Sequence, residues 1–233
     1  MNIQRIAAIF EKDLKDFMKN SMLVFLPLLP ILMAFIYAKV GESQDETLPV
    51  FMVYVVIGVA FAGVTCNCIM FSMAEEKEKN TLRGLMLSPA SFLDVIIGKS
   101  LVASLITFIS LFVSLFIMGI DPYLNAKTLL GLLTLFFFFL FLGITVGLFV
   151  KTVGITTAYM MPILFIFGMT TMFEQIFSNK NGLSMQIIEK FPIPQLIKME
   201  ETGTWQPLGI VLIWTVVAGI LMFITFQKAR TDD

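Results

Sequence analysis

Few residues of this chain carry chemistry, so the places where such residues cluster stand out. Gly98, Lys99 and Ser100 spell the end of a phosphate-binding loop. That motif needs a second glycine five positions before Gly98, where Leu93 stands, and it needs a strand before it. Here it opens a long apolar run, so no nucleotide site is expected. Cys66 and Cys68 are two apart inside another apolar run, a spacing that sends them to different faces of a helix, and they read as small buried residues. The chain contains no histidine, which removes histidine metal ligands and histidine proton relays. No carboxylate pair and no nucleophile beside a base is apparent, so no catalysis is assigned. Thr65, Asn67 and Ser72 make one apolar run mildly polar, as hydrogen bonds between helices or as part of a pathway.

On the side rich in basic residues, one long polar connection, Glu75 to Lys99, lies between two strongly apolar segments. Leu82, Leu85 and Met86 there have the i, i+3, i+4 spacing of an apolar ridge on a short helix, and Ser88 before Pro89 is a helix start, serine as cap and proline at the first position. A short helix with an apolar ridge and charged flanks, joined to a span on each side, suits docking into a groove on a partner. The expected contact residues are Glu76, Glu78, Thr81, Leu82, Arg83, Leu85, Met86, Leu87, Ser88 and Pro89.

The elements that must hold this stretch are membrane elements. The 233 residues are 58% hydrophobic and 14% charged, a composition that excludes an ordinary soluble domain, and the formal charge of -1 offers no bulk attraction to nucleic acid. Residues 1–20 sort on a helix into an apolar arc (Ile3, Ile6, Ala7, Phe10, Leu14, Phe17, Met18) and an opposite polar one (Arg5, Lys12, Lys15, Asp16, Lys19), as an amphipathic helix lying flat at the headgroup boundary would. The start is not read as a cleavable signal. Six segments reach the roughly 20 apolar residues needed to cross a bilayer: 21–38, 48–74, 95–120, 128–150, 152–173 and 207–226. No ionisable side chain lies near the middle of any of them, which disfavours an ion-driven carrier. Lys99 is expected to snorkel to water.

Pro27, Pro30 and Pro162 are expected to bend their helices. Gly143 with Gly147, and Gly58 with Ala62, form small-xxx-small faces for close packing. Residues 174–206 are too apolar for coil and read as short helices, a lid on the outer face, broken at Asn181-Gly182 and at Pro192 and Pro194. An even number of spans puts both termini on one side with the second and fourth connections. That side holds eleven lysines and arginines (Arg5, Lys12, Lys15, Lys19, Lys77, Lys79, Arg83, Lys99, Lys151, Lys228, Arg230), and the other holds five, so it is expected to be cytoplasmic.

With these features in place the chain resembles the permease subunits of ABC-2 type transporters. Glu76, Lys77, Glu78, Thr81, Leu82, Leu85, Ser88, Pro89, Gly98 and Lys99 match that family's first cytoplasmic loop, and the layout matches along the whole chain. Asn80 stands where glycine is frequent and Arg83 where an acid is frequent; asparagine tolerates a left-handed turn, whereas Arg83 could change which partner surface is recognised. The resemblance implies a single all-α membrane domain over 1–233: interfacial helix 1–20, spans 1–2 over 21–74, cytoplasmic coupling loop 75–94, spans 3–5 over 95–173, outer helical loop 174–206 and span 6 over 207–227. It implies a half-transporter in the bacterial cytoplasmic membrane, paired with a second permease, often identical. Two copies of a separate ATPase subunit would hold the ATP and Mg, with no cofactor on this chain and no nucleic-acid partner. The wholly apolar interior favours hydrophobic or amphipathic cargo such as antimicrobial or cytolytic peptides over sugar phosphates. A non-transporting immunity factor or membrane scaffold is the alternative.

Overall fold

The computed structural model describes residues 2–44, 48–79, 92–119, 125–176 and 182–231. Among them the chain is helical, with no strand. Its elements are α1 (Ile3–Lys19), α2 (Ser21–Phe25), α3 (Leu28–Gln44), α4 (Val50–Val59), a π-helical segment (Ala60–Cys66), α5 (Asn67–Glu78), α6 (Phe92–Met118), α7 (Ala126–Phe149), α8 (Val153–Ile163), a second π segment (Leu164–Gly168), α9 (Thr170–Ile176), α10 (Leu183–Ile188), α11 (Pro192–Thr202) and α12 (Gln206–Thr231). Five helices are long and apolar enough to cross a membrane: Ser21–Glu42, Val50–Glu78, Leu93–Met118, Ala126–Phe149 and Gln206–Lys228. This is the architecture of a multi-pass membrane protein. Val153–Gly168 is apolar but shorter.

The Val50–Glu78 helix is the axis. Its residues from Val53 to Met70 are buried throughout, and α6, α7, α8 and the second π segment pack around it. Close approach requires small residues on the neighbours. A Cβ added to Gly143 of α7 would lie 2.5 Å from the Cys66 carbonyl oxygen, and one on Gly147 would lie 2.7 Å from that of Met70. On the opposite side, a Cβ on Gly58 would collide with the Gly168 carbonyl oxygen. Both small-residue faces therefore serve packing within the chain. The outer surfaces of α3 and α12 stay exposed and apolar, as a lipid-facing surface does (Phe35 54%, Ile213 63%).

The prolines act according to position. The helix breaks at Pro27, whose carbonyl accepts a hydrogen bond from Ser110 Oγ at 2.6 Å. Pro30 sits in the first turn of α3 and Pro194 in that of α11, where no intrahelical N–H is lost, so neither breaks a helix, whereas the break between α10 and α11 falls just ahead of Pro192, which opens α11. Pro162 lies inside α8, just ahead of the π segment. Beyond it, α10 and α11 close over one end of the bundle. Trp214 donates from Nε1 to the Lys190 carbonyl at 2.8 Å and stacks on Phe191.

Candidate functional site

The helix α5 carries Glu75, Glu76, Lys77 and Glu78 and leads into residues 80–91. The expected contact residues Thr81, Leu82, Arg83, Leu85, Met86, Leu87, Ser88 and Pro89 lie outside the described residues. The stem that bears them is described, and nearly every charged side chain on it is tied to a different helix.

Glu76 is buried at 4% exposure and faces α1 and α6. Its Oε1 accepts from Lys12 Nζ at 2.6 Å and from Lys99 Nζ at 3.2 Å. Lys99 also donates to Asp13 Oδ2 at 2.7 Å and to Ser72 Oγ at 2.8 Å, and Ser72 in turn donates to Asp13. Two lysines thus meet two carboxylates, and the ammonium of Lys99 spends its three donors on three acceptors. Lys99 is 3% exposed, so the expected snorkelling to water does not occur: the ammonium is satisfied inside the protein. Burial pulls the Lys12 ammonium down, but the Glu76 carboxylate, helped by Asp13 and Asp16, more than offsets this and holds it above the usual lysine range. The Gly98 that precedes Lys99 makes the junction possible. A Cβ there would lie 2.7 Å from Ile9 Cγ2 and 3.3 Å from the Ile6 carbonyl oxygen, so only glycine lets α1 settle on α6. The pair Gly98-Lys99 is a helix-packing device.

The other two charges of the stem reach the far side. Lys77 Nζ donates to the Leu148 carbonyl at 2.7 Å, satisfying an orphan carbonyl in the last turn of α7. Glu78 Oε2 accepts from the Val153 backbone N–H at 2.6 Å, which satisfies an orphan donor at the start of α8 and puts a carboxylate at its positive end. Three consecutive residues of one helix, Glu76, Lys77 and Glu78, thereby engage α1, α6, α7 and α8. A cleft of about 580 Å³ opens between α1, α2, α5 and α6 beside the junction.

The polar residues expected in a pathway divide. Thr65, in the first π segment, donates to Thr107 Oγ1 of α6 at 2.9 Å, a hydrogen bond between helices. Ser72 belongs to the ion junction, and Asn67 is buried at the end of the π segment. Asp13 was missed by the pattern of polar and apolar arcs. Its signal was there: Ile6, Ile9, Asp13 and Phe17 run i, i+3, i+7, i+11, so the carboxylate falls on the buried stripe of α1 and needs a buried cation. No protein-family model matches the sequence, and no curated protein shows a significant match to it.

Proposed function

We propose that this chain is the membrane permease subunit of an ATP-driven exporter of the ABC-2 type, with the Glu75 to Ser91 loop as its coupling helix. The observation that carries the reading is the stem. A push on a loop rooted in Glu76, Lys77 and Glu78 is delivered at once to α1, α6, α7 and α8, because each of these helices is bonded to one of those side chains. A loop that only connected two spans would need no such anchorage.

In this reading there are six spans, the fifth covering residues 152–173, that is Val153–Gly168 with only the start of α9, and both termini are in the cytoplasm. Nucleotide and Mg are held by two copies of a separate ATPase subunit. The exposed apolar faces of α3 and α12 leave room for a second copy of the permease. The apolar interior suits hydrophobic or amphipathic cargo, antimicrobial or cytolytic peptides in particular, passing between the two copies.

The test is copurification. Leu82→Glu with Leu85→Glu should abolish recovery of the ATPase subunit with the tagged permease while membrane insertion stays at the wild-type level. Undiminished recovery would sink the proposal and leave a non-transporting membrane protein, for which ATPase stimulation should also be nil.

A further inference from the structure

The cleft beside the ion junction has a construction of its own. Its floor is the closed network of Lys99, Asp13 and Glu76, whose charges are already satisfied by one another. Its inner walls are apolar: Phe17 and Leu23 from the α1–α2 elbow, Phe71 from α5 and Val102 from α6. The mouth is charged, and in an unusual way. Lys79 is paired with Glu75, but among the described residues neither Asp16 nor Lys19 is in an ion pair, although both are exposed and line the same opening. Across the whole lining, four lysines meet four carboxylates. A singly charged ligand of either sign gains little from such a surface, whereas one carrying both signs can engage both free groups.

Three observations together define the occupant. The volume, about 580 Å³, lies within the range of small-ligand pockets, about 300–1,000 Å³, and is too small for a whole lipid. The apolar walls sit below a charged mouth, so the ligand has a polar head and an apolar continuation. Met18, Met22 and Phe25, exposed apolar side chains beside the mouth on α1 and α2, mark this flank as bilayer-facing.

We propose that the cleft binds the headgroup region of one phospholipid that carries a phosphate and a primary ammonium, the phosphatidylethanolamine class. Lys19 takes the phosphate and Asp16 the ammonium, while the glycerol and the first methylenes lie against Phe17, Leu23, Phe71 and Val102. A primary ammonium offers three N–H donors to Asp16 and a quaternary one offers none, so phosphatidylcholine is rejected. Phosphatidylglycerol lacks a cation for Asp16.

The full-length chain, in nanodiscs of equal parts phosphatidylethanolamine, phosphatidylcholine and phosphatidylglycerol with matched acyl chains, is released for native mass spectrometry and its retained lipid counted. Wild-type protein should retain phosphatidylethanolamine over each of the others by roughly tenfold, and Asp16→Asn or Lys19→Gln should each lower that preference roughly fivefold. Both residues are exposed, so neither change threatens the fold; Lys15→Gln, on an exposed pair with Glu11, should leave the preference unchanged. Equal retention of the three lipids, a preference for phosphatidylglycerol, or indifference to both variants overturns the proposal. So does displacement of the bound lipid by soluble glycerophosphoethanolamine, since the cleft would then be a site for a water-borne headgroup.

Discussion

Lys99 holds the most exacting position in the chain. Its ammonium is enclosed by Asp13, Glu76 and Ser72, and taking it away strands the buried Asp13 carboxylate and leaves Glu76 with Lys12 as its cation. Breaking a buried ion pair from one side costs about 3–5 kcal/mol, far more than an exposed pair, worth about 0–1 kcal/mol. Lys99→Met should therefore lower the thermal unfolding midpoint in detergent sharply, and Asp13→Asn added to it should recover part of the loss. A double change that is simply additive would show that the two residues do not share one network. The contrast is Lys39 with Glu42, both exposed on α3, where Lys39→Met should have no measurable effect. Much of this residue-scale arrangement was open to reading. An aspartate on the apolar stripe of an amphipathic helix and a lysine at the mouth of a span are each costly alone, and that shared cost predicts the pair. The Glu78 carboxylate on the Val153 N–H was not legible, since it joins two helix ends 75 residues apart that only the packing brings together.

Among the elements, α7 and the Val50–Glu78 helix depend on backbone contact. Gly147→Val would drive two methyl groups into Met70 and Met73. Overpacking of this kind costs about 1–3 kcal/mol, which a lowered midpoint with unchanged insertion would register. The small-xxx-small spacing announced this face, although a spacing alone does not say whether the partner is the same chain or another. The two π segments had no such sign, because an i→i+5 turn has no residue signature of its own. The short helix α9 supplies a pH effect. Burial, and then Glu189 and Glu201, push the Glu174 carboxyl up to about 6 from the usual 4.5. A carboxyl with a raised folded-state pKa lends stability that is complete below pH 4.5 and is lost as the pH rises through about 6. Melting measured between pH 4.5 and 7.5 should fall further for wild type than for Glu174→Gln; parallel curves would remove Glu174 as the cause.

At the scale of the molecule, the open quantity is the parity of the spans. Among the described residues five helices are long enough to cross, and Val153–Gly168 is shorter. If that segment completes a sixth crossing with α9, the two termini share a side; with five they do not. Gln4→Cys and Asp233→Cys should both stay unlabelled by an impermeant maleimide added outside intact cells, and both should label once the membrane is opened. Labelling of one terminus alone from outside would leave an odd number of crossings. The native Cys66 and Cys68 are buried and should not interfere.

The seat of α1 has a further consequence, for the order of synthesis. Asp13 is made 86 residues before its partner Lys99, and Ile6 and Ile9 as far ahead of the glycine they rest on. At a translation rate of about 5–20 residues per second, the first helix waits roughly 4–17 s before its seat exists. During that interval its apolar stripe, with a carboxylate in the middle, lacks both the Lys99 ammonium and the Gly98 surface it packs on. Helix α1 is thus made well before it can be placed, and the arrival of α6 acts as the signal that lets it settle.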